Sequence, residues 1–168
     1  MIGERKLKEK LMIVSLGLLP LIMVLGNSML IPLLPSIQKS LHLSGVQTSL
    51  ILSVFSIPAA LCIPAVGILS DRYGRKKLIM YSLIVMIIGS LVAASSALVS
   101  SGSFAVLMAG RVIQGIGAAG TTTLAMALTG DVFTGEKRAK VLGILEVYNG
   151  AGKVVAPIIG ATAALVVW

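Results

Sequence analysis

Three ionisable side chains, Arg111, Glu146 and Lys153, stand inside stretches that are otherwise apolar, and the amides Asn27, Gln114 and Asn149 lie in the same stretches. A charged side chain at the centre of a bilayer costs about 2.5–3.5 kcal/mol on insertion scales, so each must face a cavity, a partner or water. Glu146, Asn149 and Lys153 recur at i, i+3 and i+7, which places them on one face of a helix. The two bases can hold an anion. A buried carboxyl group, disfavoured in its charged form, can carry a proton. Covalent chemistry finds no support, since no nucleophile–base set, no Cys/His cluster and no phosphate-binding loop is present. Gly115-Ile-Gly117-Ala-Ala-Gly120 has the look of a dinucleotide fingerprint but lacks the preceding strand and the following acid.

The elements that position these residues are apolar runs long enough to cross a membrane. The chain has 168 residues, 57% hydrophobic and 12% charged, against about 45–50% and 25% in soluble domains. Its apolar segments reach 20 or more residues, the length that spans a ~30 Å hydrocarbon core. Alternating ten-residue segments of the kind that build a membrane barrel are not seen. The expected fold is an all-α polytopic membrane protein with five spans, at about residues 11–34, 46–69, 78–99, 104–129 and 141–168. Residues 1–10 form a charged, mobile leader, and a Ser-Ser-Gly-Ser turn joins the third and fourth spans. The first apolar run is too long for a signal-peptide core.

Charge sets the orientation. Arg5, Lys6, Lys8 and Lys10 precede the first span, Arg72, Arg75, Lys76 and Lys77 follow the second, and Lys137, Arg138 and Lys140 precede the fifth. These bases all fall on one side, and only Lys39 falls on the other. The positive-inside rule therefore makes the N-terminus cytoplasmic and sends Trp168 to the far side of a plasma membrane. The net charge of +8 thus reflects topology and does not indicate nucleic-acid binding. Cys62 is alone and His42 lies in a loop, so neither a disulfide, a metal nor a cofactor is expected. An odd number of spans without a polar tail reads as a chain cut off within a longer protein.

The densest charge cluster, Gly67-Ile-Leu-Ser-Asp71-Arg72-Tyr-Gly74-Arg75-Lys76-Lys77, separates two apolar runs. By itself it could be a topogenic cluster of the kind any membrane protein carries. Its ordered spacing resembles G-x-x-x-D-R-x-G-R-[KR], the signature between the second and third helices of the major facilitator superfamily. Arg111-Val-Ile-Gln114-Gly115-Ile-Gly117-Ala-Ala resembles the fourth-span motif associated with proton-coupled members. Gly143, Gly152, Ala156-Pro157 and Gly160-Ala161 resemble the fifth-span motif of the drug-exporting antiporters, with alanine replacing glycine at 156 and 161. Small residues there still permit close packing, and Pro157 still permits a kink.

The resemblance implies five of the first six helices of a transporter built from two six-helix halves. It implies proton-coupled efflux of drugs or other small organic molecules, anionic ones included, by alternating access. The second half would then be needed for activity. The loop residues Gly67, Asp71, Arg72, Gly74 and Arg75 would form a conformational latch, with Asp131 pairing with Arg75. Asn27, Arg111, Gln114, Glu146, Asn149 and Lys153 would line the path of substrate and protons. By helical rise Arg111 is roughly 12 Å and Lys153 roughly 18 Å from opposite ends of their spans, so both are expected to line the central cavity near the midplane. The first span carries no carboxylate, so coupling would fall to Glu146, Asp71 or the remaining half. Simpler readings stay open at each point. Arg111 could be satisfied by backbone carbonyls, Glu146 could only neutralise Lys153, and the fifth-span glycines could be an ordinary helix interface. Two other functions also stay open, namely metabolite uptake and an inactive truncated fragment. An enzyme is not expected.

Overall fold

A computed structural model describes residues 2–98 and 103–167. Helix α1 covers Ile2–Ser28 and continues through a 3-10 turn, Ile31–Leu33, into the short α2, Leu34–Ser40. Then follow α3, Gly45–Tyr73; α4, Arg75–Ser95; α5, Ser103–Val132; and α6, Gly135–Val167. Five helical segments are long and apolar enough to cross a membrane, and no strand occurs among the described residues. This is the expected all-helical class.

The details depart from expectation at the helix ends. Leader residues 2–10 are helical and continue into the first span. The expected loop after Pro35 is mostly helix, because Pro32 and Pro35 occupy first-turn positions, where a missing N–H costs nothing. Between α5 and α6 only Phe133 and Thr134 are non-helical, so most of the expected 130–140 loop extends the two helices. The expected Ser-Ser-Gly-Ser turn lies mostly outside the described residues.

Local signals explain the boundaries. Ser44 caps α3: its hydroxyl accepts from the Gln47 N–H at 3.3 Å, and the Gln47 side chain accepts from the Ser44 N–H at 2.9 Å. This reciprocal box satisfies two orphan donors. Gly74 divides α3 from α4 at φ +93°, a region that side chains rarely adopt. Pro20, Pro58, Pro64 and Pro157 lie within helices, which neighbouring helices make tolerable in a membrane.

The bundle is organised about α5. Of its most apolar window, 56% is buried, against 11% for α3 and 17% for α6. It lies along α4 and α3 and touches α1, while α6 lies mainly along α1. Small residues bring α4 and α5 together. A Cβ on Gly117 would meet the Met86 nitrogen at 2.6 Å, and one on Gly89 would meet the Gln114 side chain at 2.8 Å. Without a hydrophobic driving force between helices in lipid, such close contact is what holds a pair. Near the charge knot, Leu16, Ile79, Leu124, Phe133, Val141 and Leu145 form one core that joins α1, α4, α5 and α6.

Candidate functional site

Arg111 has no exposed surface. Its Nε donates to the Ile51 carbonyl at 3.1 Å, Nη1 to the Gly26 carbonyl at 3.3 Å and to Gln114 Oε1 at 2.9 Å, and Nη2 to Asn27 Oδ1 at 2.5 Å. The guanidinium carbon stands 4.5 Å from the centre of the Phe55 ring. Gln114 passes the network on, donating from Nε2 to Ser90 Oγ at 2.8 Å. One residue of α5 thus ties together α1, α3 and, through Gln114, α4. No carboxylate oxygen lies within 4.0 Å of it among the described residues, so dipoles and a ring face replace its hydration.

This geometry corrects the expectation that Arg111 and Lys153 line one cavity. Arg111, Gln114 and Asn27 form a closed knot between helices, and Arg111 is satisfied in part by backbone carbonyls. Its motif neighbours act in packing. Gly115 lies against the Phe55 carbonyl of α3, and Gly117 lies against α4.

At the other end of α5 the charge knot is joined. Arg75 Nε contacts Asp131 Oδ2 at 2.6 Å, and its Nη2 contacts Asp71 Oδ1 at 3.4 Å. Arg75 therefore links the ends of α3, α4 and α5. Both acids are exposed, with side chains 72% accessible at Asp71 and 50% at Asp131. Arg72 projects from the end of α3, 5.9 Å from the Tyr73 ring centre. Nothing lies within 4 Å of where a Gly67 Cβ would be, so Gly67 brings no two described helices together. A further ion pair, Lys137 Nζ to Glu9 Oε1 at 2.7 Å, connects the starts of α6 and α1.

The fifth-span motif divides in a similar way. Gly152 accommodates Leu21 and Val24 of α1, and Gly160 admits the Met29 carbonyl. Ala156, between them, is fully buried. Gly17 supplies the matching gap on α1, into which the Tyr148 ring fits. Gly143 faces open space and plays no part in this seam.

Glu146, Asn149 and Lys153 lie beside the seam. Asn149 Nδ2 donates to Glu146 Oε2 at 3.2 Å. Glu146 and Lys153 are exposed, and no ion pair joins them among the described residues. The alternative in which Glu146 neutralises Lys153 thus has no ion pair behind it among the described residues. Asn149 lines a cavity of about 210 Å3 with Met23 of α1, Ala59 of α3, and Ala118, Thr122 and Thr123 of α5. A larger void of about 490 Å3 lies at the opposite end, among Leu30, Ile37, Leu41, Ala93 and Leu107, and among the described residues no ionisable side chain lines it.

Several participants escaped the sequence reading, namely Phe55, Ser90, Gly17 with Tyr148, and Glu9 with Lys137. Ser82, Gly89 and Ala93 of α4, against which Gly120, Gln114 and Gly110 of α5 lie, do carry a signal, since small residues at about helical spacing mark a face for close approach. Phe55 and Ser90 carry none, because their roles depend on which helix lies opposite.

Five apolar helices, a charge cluster at a glycine turn and a polar cluster within the bundle describe a multi-pass membrane protein. The chain belongs to the Major Facilitator Superfamily, which it matches over residues 16–168. It is 46% identical to the bacillibactin exporter of Bacillus subtilis (strain 168) over 158 residues, covering 93% of this chain and 39% of that protein. Against the class C tetracycline resistance protein of Escherichia coli it is 31% identical, covering 89% and 37%. Against multidrug resistance protein 2 of Bacillus subtilis (strain 168) it is 29% identical, covering 79% and 32%. The chain spans between about a third and two fifths of the length of these relatives.

Proposed function

We propose that this chain forms part of a proton-coupled exporter of small organic molecules that works by alternating access in the plasma membrane, with its N-terminus in the cytoplasm. The observation that carries the reading is the seam of α6 against α1. The Gly152, Ala156 and Gly160 series that resembles the exporter motif is the series that seats α1, with Pro157 inside the helix. The relative named as an exporter, similar along nearly the whole chain, supports the same direction.

In this reading α1 and α6 move as one body, because their small-residue seam leaves no gap for sliding. The cavity among α1, α3, α5 and α6 belongs to the substrate path, and further helices of the full-length transporter close its open side. The Arg75–Asp131–Asp71 cluster holds one conformation at the cytoplasmic surface, where surface ion pairs of about 0.2–1 kcal/mol break and re-form readily. Glu146, held by Asn149, is the proton carrier once further helices of the full-length transporter cover its exposed side.

The test uses everted vesicles bearing the full-length gene product. An imposed proton gradient should drive accumulation of a dye, a protonophore should abolish it, and Glu146→Gln should remove gradient-driven transport. If Glu146→Gln transports as the unsubstituted protein does, Glu146 is not the coupling acid. If the dye moves only inward in right-side-out vesicles, the export reading falls.

A further inference from the structure

The polar residues of α6 occupy one flank of that helix, and the direction they face identifies what they meet. A helix turns about 100° per residue. Taking Gly152, which faces α1, as the reference, Asn149, Lys153 and Glu146 fall about 60–120° to one side. Val155, Ile158 and Val147 fall about 60–140° to the other and are exposed, as a lipid-facing surface would be. Asn149 lines the four-helix cavity, and Lys153, one turn further along the same flank, stands beyond that lining. Lys153 follows Asn149 by one turn and is adjacent to Gly152, which packs on Leu21 and Val24 at the middle of the first span.

An ammonium at this depth requires a counter-charge or water. The nearest acid on its own flank, Glu146, is two turns away, roughly 10 Å by helical rise, and is taken by Asn149 instead. Arg111, the other base at this depth, has its donors directed to Ile51, Gly26, Gln114 and Asn27. Lys153 is therefore the base on this flank that is exposed and has no ion pair among the described residues.

We propose that Lys153, with the Asn149 amide beside it, is the position that recognises an acidic group on the transported molecule, so that the substrates are organic anions. This rests on the export reading above and narrows it. Lys153 supplies the charge, Asn149 and the Thr123 hydroxyl supply neutral hydrogen bonds, and Ala118 with Met23, whose Sδ already accepts from the Thr122 hydroxyl at 3.1 Å, supplies the wall.

The experiment compares two probes in everted vesicles bearing the full-length gene product, carboxyfluorescein as an anion and ethidium as a cation. The unsubstituted protein should accumulate carboxyfluorescein. Lys153→Ala should lower that rate by about tenfold or more, as loss of a charge-assisted contact predicts, and Lys153→Arg should restore most of it. Melting temperature in detergent should stay unchanged in both variants. The proposal is overturned if Lys153→Ala leaves carboxyfluorescein transport intact. It is equally overturned if both probes fall together and Lys153→Arg rescues both, since Lys153 would then pair with an acid elsewhere in the protein. Outward movement of ethidium alone sinks the anion assignment and spares the export reading. Movement of neither probe in the outward direction sinks both.

Discussion

Arg111 and Lys153 are two bases in the spans of one bundle, and their surroundings are opposite. Arg111 is fully enclosed, with contacts to three other helices through four hydrogen bonds, one ring and Gln114. Lys153 is exposed on the flank of α6 beside a cavity, with no acid in reach among the described residues. The difference shows that two bases within the spans of one bundle can have opposite surroundings. What matters is whether the protein has already used its donors. A planar guanidinium suits the closed position because its fork can address several carbonyls at once, whereas a flexible ammonium suits a place where the partner arrives and leaves.

The contrast is most strongly challenged at Arg111. Arg111→Ala would strand the Asn27 and Gln114 acceptors and open a gap beside Phe55. Loss of about 3 kcal/mol or more is expected, a fall in melting temperature of about 6–12 °C in detergent. Arg111→Lys should recover only part of this, having no bidentate fork. A variant that melts normally would show that the hub does not hold the helices.

The glycine contacts come next. Gly117→Leu should cost about 1–3 kcal/mol, because even its Cβ would lie 2.6 Å from the Met86 backbone. Cross-linking between α4 and α5 would then weaken along with the melting temperature. Gly160→Val should do the same to the α1–α6 seam.

A smaller effect is expected at the latch. Asp131→Asn removes the 2.6 Å contact with Arg75, yet both groups are partly exposed, so stability should change by about 1 kcal/mol or less. If the contact is the proposed latch, transport rate in the full-length gene product should change more than melting does.

The smallest expected effect is at Gly143, where a Cβ meets nothing within 4 Å. Gly143→Ala should be neutral or stabilising by up to about 1 kcal/mol, since alanine favours a helix interior. Placed beside Gly160→Val, it separates the parts of the fifth-span motif that pack from the part that does not.

Much of the fold was legible in the sequence. Five apolar runs fixed the number of spans, and Gly74 in a charge knot marked a turn that needs positive φ. Helix ends were harder to see. Charged residues 2–10 and the 130–140 segment look like loop by composition, yet both continue helices that extend past the apolar core. Within the candidate site, Glu146, Asn149 and Lys153, spaced i, i+3, i+7, all lie on α6, and Asn149 contacts Glu146. The pairing of Arg111 with Lys153 failed, because depth along two helices says nothing about the angle at which each side chain leaves its helix.

The sequence by itself determined the family, the number of spans and the residues with unusual chemistry, since hydrophobic length and ordered motifs are properties of the chain. Only the tertiary structure decided which of those residues are spent and which are available. That depends on the rotation of each helix about its axis and on which neighbour it meets. In lipid these are set by close fit among small residues, such as Gly117 on Met86 and Gly152 on Val24. Arg111 was turned by that fit into the bundle, and Lys153 was left at its open side.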